Sequence, residues 1–121
     1  MGVVYHGRYL EYFEVIRTEF IREAGLSYSE MEDRGVMLPV ANVEMRFKQP
    51  IRYDELMSGR LMVFDEPTVR LVTYYEIRPV GAENTSVTGK VELVFVDVTT
   101  RRPIRAPEIF MQKIRDYASM A

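Results

Sequence analysis

The residues best placed to do chemistry stand at the beginning of the sequence, Gly2-Val3-Val4-Tyr5-His6-Gly7-Arg8-Tyr9-Leu10. They read as a short apolar run, a turn with glycine beside it, and the first turn of a helix. The first backbone N–H groups of a helix have no internal partner and carry partial positive charge. A carbonyl oxygen that becomes an oxyanion at that point is stabilised. His6 and Gly7 fall where those amides lie free, and Gly7, lacking a side chain, allows a ligand close to the backbone. His6 is the single histidine. Its unperturbed pKa of about 6.5 allows a neutral, hydrogen-bonding ring at physiological pH. A histidine at a helix start also has a plain structural reading, as a cap or a packed polar residue.

Other chemistries find little support. Cysteine is absent, which removes disulfides, thiolate nucleophiles and cysteine-ligated metal sites. It fits a reducing compartment such as the cytoplasm. One histidine cannot make a polyhistidine site, and no EF-hand spacing occurs. Ser27, Ser29, Thr85 and Ser86 lack a G-x-S-x-G context. Neither phosphate-binding glycine loop is found. A net charge of −2 argues against a general nucleic-acid binder. No apolar run approaches the roughly 20 residues that cross a bilayer, and the start lacks the pattern of a signal peptide.

The elements that would carry these residues follow from periodicity. The 121 residues, 47% of them hydrophobic and 28% charged, suit one domain spanning the chain. Tyr9, Tyr12, Phe13, Ile16, Phe20 and Ala24 recur at helical steps, predicting a helix over 8–24 with Gly25 as its C-terminal cap. Leu10 and Ile21 widen the apolar arc, so most of this helix is expected to be buried. A short helix over 27–34 follows, with Ser27 as cap and Glu30 in the capping-box position. The period then becomes two, predicting strands over 40–48, 58–64, 69–78 and 86–98. Short turns between consecutive strands imply antiparallel pairing of neighbours. The last strand is apolar on both faces in its second half, as a central covered strand would be. Pro107 opens a final helix over 108–120. The sum is an α+β fold, one long helix against a curved antiparallel sheet. The uncovered sheet face predicts self-association as a homodimer or homotetramer.

The segment from Gly2 to Leu10, continued by Tyr12-Phe13-Glu14 and Arg17-Thr18-Glu19, resembles the hotdog-fold thioesterases of the 4-hydroxybenzoyl-CoA thioesterase type. Among these it is similar to the acyl-CoA thioesterases associated with the Tol–Pal system. The first nineteen residues carry the specific likeness, and the strands match in pattern. The resemblance implies hydrolysis of a small acyl-CoA. It makes the His6 and Gly7 backbone the oxyanion site and gives His6 and Tyr5 catalytic positions. Gly2, Val4 and Tyr9 would line the acyl end. The basic cluster Arg101, Arg102 and Arg105 would meet CoA phosphates, or else form a solvated turn. A thioester is already activated, so no metal or redox cofactor is expected.

One departure stands out. The family's main catalytic residue is an aspartate a few positions before the motif glycine, on or near its usual first strand. Here that position precedes Met1. An upstream stretch supplies it, or the enzyme is weak or silent, or another acid such as Glu14 or Glu44 substitutes. Two rival classes remain: a silent hotdog module that binds acyl-CoA or an acyl carrier protein, and a structural partner protein.

Overall fold

In the computed structural model, residues 6–52 and 55–120 are described. Helix α1 spans His6–Glu23 and ends at Gly25, whose φ of +90° is the left-handed conformation glycine adopts most cheaply. Helix α2 spans Tyr28–Asp33, and the Ser27 hydroxyl accepts from the Glu30 amide at 3.1 Å. The strands are β1 (Val36–Met37), β2 (Val40–Phe47), β3 (Met57–Met62), β4 (Arg70–Pro79), β5 (Val87–Val94) and β6 (Val96–Asp97). Helix α3, Glu108–Met120, follows the last strand.

β2 to β5 form one antiparallel sheet in the order β2-β5-β4-β3, and β1 pairs with β6 in a small second sheet. The expected antiparallel pairing of consecutive strands holds for β3 with β4 and β4 with β5 and fails for β2 with β3, since β2 pairs with β5 instead. β2 and β3 occupy opposite edges, three strand spacings or roughly 14 Å apart. The segment between them is a crossing, not a turn. The Lys48 and Gln49 amides both donate to the Ser86 carbonyl, at 2.8 and 3.2 Å, and Ile51 is sealed in the core. The long strand expected over 86–98 is also broken. It stops at Val94, Phe95 turns its ring inward against Phe110 at 5.1 Å, and β6 resumes beside β1.

Helix α1 crosses one face of the sheet. Its buried stripe is Tyr9, Phe13, Arg17, Ile21 and Ala24, narrower than the apolar arc suggested. Leu10 and Val15 stay exposed, because one sheet covers only one side of a helix. The seating depends on Gly89. Gly89 pairs with Tyr75 across the strands, and the Phe13 ring lies over it, stacked on Tyr75 at 4.5 Å and 18°. Any Cβ at position 89 would run into that ring.

Gly89→Ala should therefore force Phe13 off its seat and lower stability by about 1–3 kcal/mol, the usual cost of overpacking a filled core. Urea unfolding monitored by circular dichroism measures it. An unchanged midpoint would contradict this account of the helix seat.

Candidate active site

Helix α1 is described from His6, and among the described residues the amides of its first turn have no helical acceptor. Gly7 is half-exposed and Arg8 exposed. No acidic side chain occupies the first turn to neutralise the positive end of the helix. The spot is open at the surface, a condition for receiving a carbonyl. Tyr5, Gly2 and Val4, expected beside it, lie outside the described residues, and of His6 only the backbone is described.

Tyr9, expected at the acyl end, lies in the core of the single chain. It is 2% exposed, edge-on to Tyr12 at 6.2 Å and tilted against Phe47 at 5.6 Å. Burial pushes its hydroxyl pKa up, partly offset by a hydrogen bond from the Ile51 backbone. In a single chain Tyr9 is the wedge that ties the helix start to the β2–β3 crossing. Nor do the substitute acids reach the first turn. Glu14 lies eight residues along α1, about 12 Å away. Glu44 follows Val43, which lines a cavity on the helix side of β2, so Glu44 points to the opposite face of the sheet.

Arg101, Arg102 and Arg105 sit exposed on the loop between β6 and α3. Asp97 shapes that loop by accepting from the Thr99 and Thr100 amides, each at 2.8 Å, which holds its carboxyl below the usual range. β6 prolongs the chain beyond the Val94 end of β5. The helix start packs on Phe47, which is registered with Val87 at the other end. An eight-residue strand separates them, about 24 Å. Within one chain the arginines and the oxyanion position are therefore not brought together.

A polar cluster that sequence reasoning missed lies midway along α1. Arg17 is 7% exposed. Its Nε donates to the Tyr28 hydroxyl and its Nη1 to the Tyr75 hydroxyl, both at 3.1 Å. The Tyr75 hydroxyl meets Thr73 Oγ1 at 2.7 Å, and Thr73 donates to the Val91 carbonyl at 3.1 Å. Burial opposes the Arg17 charge, yet the two hydroxyls outweigh it and hold the guanidinium pKa above its ordinary value. Burial likewise raises the Tyr28 hydroxyl, against the pull of Arg17. The signal was present: Arg17 stands four residues from both Phe13 and Ile21, on the stripe itself.

A long helix laid across one antiparallel sheet, with its first turn left open, is the hotdog arrangement of thioesterase-like proteins. Residues 1–114 match the Thioesterase-like superfamily, and the chain belongs to that superfamily. It is 33% identical to the putative acyl-CoA thioesterase YneP of Bacillus subtilis over 91% of this chain and 79% of that one. It is 27% identical to the acyl-CoA thioester hydrolase YbgC of Escherichia coli O157:H7 over 94% of this chain and 84% of the relative. Among solved structures, a DHNA-CoA thioesterase from Staphylococcus aureus superposes with a TM-score of 0.84 at 33% identity, covering 99% of this chain and 80% of that one.

Tyr9→Phe keeps the wedge and removes the hydroxyl that the Ile51 amide meets. We expect a loss of about 1 kcal/mol, the net worth of one such hydrogen bond, read as a lower urea midpoint.

Proposed function

We propose that this chain hydrolyses the thioester of a small acyl-CoA. The observation that carries the reading is the open first turn of α1, with Gly7 at the surface, bearing the His6-Gly7 motif. Membership of the thioesterase-like superfamily and the names of its relatives support it. Within that superfamily we assign it to the 4-hydroxybenzoyl-CoA thioesterase type and its Tol–Pal-associated branch, on the strength of the first nineteen residues. In this reading the thioester carbonyl docks on the amides of His6 and Gly7, and the helix dipole adds to their pull as charge moves onto oxygen. Tyr5 and the His6 side chain shape the reacting end, with Gly2 and Val4 beside the acyl group. A carboxylate at that turn activates a water that adds to the carbonyl carbon, or attacks it to give a mixed anhydride that water then hydrolyses, and the acyl group leaves as the free acid. The sulfur leaves as the CoA thiolate and takes up a proton.

The working unit in this reading is a homodimer or a dimer of dimers. β2 is an edge strand with Val40, Val43 and Phe47 exposed, and Leu10 of α1 stands beside it. An apolar edge strand of this kind invites pairing with another copy. Assembly also answers the separation noted above, since Arg101, Arg102 and Arg105 of one protomer can serve CoA phosphates held by the other. Among the described residues no helix is long and apolar enough to cross a membrane. With no cysteine to oxidise, we place the protein in the reducing cytoplasm, where acyl-CoA is at hand.

Hydrolysis of an acyl-CoA panel, with released CoA followed by a thiol reagent, tests the reading. We expect turnover of at least one small acyl-CoA. Gly7→Pro removes one first-turn N–H at a helix position that tolerates proline. It should cost about 10²–10³ in kcat, the usual worth of an oxyanion donor, while circular dichroism stays unchanged. His6→Ala should lower turnover at least about tenfold if the side chain shapes the reacting end, and an unchanged rate would leave only its backbone relevant. Absence of turnover across the panel, with CoA still bound in a titration, would favour the silent module.

Light scattering coupled to size exclusion should show a dimer or tetramer at micromolar concentration. A stable monomer there would contradict the edge-pairing reading.

A further inference from the structure

Arg17 is a buried cation without a buried anion. None of the ion pairs among the described residues includes it. Its guanidinium donates to two neutral hydroxyls, which use the Nε edge and one position on Nη1. Arginine has five N–H donors in a planar fork, so three remain. Nη2 donates to nothing among the described residues yet is not sealed in, because no fully buried side-chain nitrogen or oxygen among them lacks a partner. Arg17 instead lines a cavity of about 260 Å³ between α1, β2 and β5, walled by Leu10, Phe13, Val40, Val43 and Val91. Glu14 is the other polar residue lining it, and it is exposed and not paired with Arg17. A charge held out of water among apolar walls is costly until an opposite charge meets it.

We propose that this cavity is a binding site for a small free carboxylate with a compact apolar body. Its two oxygens accept from the unused fork of Arg17, and its body fills the space between Phe13, Val43 and Val91. The fork suits a planar carboxylate, which it can hold through two parallel bonds. Tyr28 and Tyr75 fix the plane of the guanidinium before the ligand arrives, and Thr73 in turn fixes Tyr75. The volume equals the share of roughly nine waters in the liquid, at about 30 Å³ each, and so suits a molecule of benzoate's nine heavy atoms. The site lies on the α1 stripe eleven residues beyond His6, about 16 Å along the helix axis. It is separate from the oxyanion position. A second copy seated on the β2 edge would enclose the cavity and make the need for an anion greater.

The proposal does not rest on the thioesterase reading, since binding is measured without turnover. The test is a calorimetric titration of the full chain with sodium benzoate and, at matched ionic strength, with benzamide. We expect one benzoate per chain and benzamide at least tenfold weaker. Arg17→Lys keeps the charge and loses the fork, and should weaken benzoate at least fivefold. Tyr28→Phe frees Nε and should weaken it at least twofold, with an unchanged circular dichroism spectrum for both variants. Equal affinity for benzoate and benzamide in the wild-type chain overturns the proposal, whatever the variants do. Benzoate affinity unaffected in both variants overturns it as well. A third result is that wild-type protein fails to bind while Glu14→Gln binds. That assigns the anion to Glu14, of the same chain or a second copy, and overturns a site for a free carboxylate. Failure of both proteins to bind benzoate overturns it too.

Discussion

The contact of Phe13 with Gly89 and Tyr75 sets the position of everything that faces a ligand. A phenyl ring can lie flat on a strand only where the strand has no Cβ, and Gly89 is that place. Tyr75, across the ladder from Gly89, turns the gap into a stacking surface. This pins α1 at one point along its length. Tyr9 pins it at a second, against Phe47 and the backbone of Ile51. Two fixed points on a rigid rod determine where its first turn emerges. The open amides of that turn owe their place to packing that contains none of the reacting groups.

The same seating explains why a charged residue came to be buried. The stripe that touches the sheet runs Tyr9, Phe13, Arg17, Ile21, and the third member is a guanidinium. Its burial is tolerated because Tyr28 and Tyr75 bring hydroxyls to it and Thr73 completes the chain of hydrogen bonds to Val91. Hydrogen bonding to neutral groups satisfies direction but not charge. One long helix thus presents two positively polarised features to small molecules. At its N-terminus they are backbone dipoles, and midway along it is a formal charge.

Among the described residues, β2 lies at one edge of the sheet and β3 at the other, and β2 carries exposed Val40, Val43 and Phe47. The arginines after β6 and the opening of α1 are at opposite ends of the protomer. The apolar border of β2 lies between them.

Much of this was legible in the residues alone, because it is local. Helical and two-residue periodicity marked α1, the first three long strands and α3 to within a residue or two, and the start but not the end of the fourth strand, while Ser27 and Gly25 marked a helix start and a helix end. The His6-Gly7 segment marked where α1 starts, since a helix N-terminus is a property of the backbone at that one place. What needed the tertiary structure is non-local. Strand order depends on whether a loop turns or crosses, and that depends on Ile51 being drawn into the core. The break at Phe95 depends on the Phe110 ring waiting for it. Tyr9, expected at a ligand, is packed as a wedge in the single chain, and Arg17, which the helical reading left unassigned, is buried. Periodicity says which residues share a face. Only the partner surface says what that face meets.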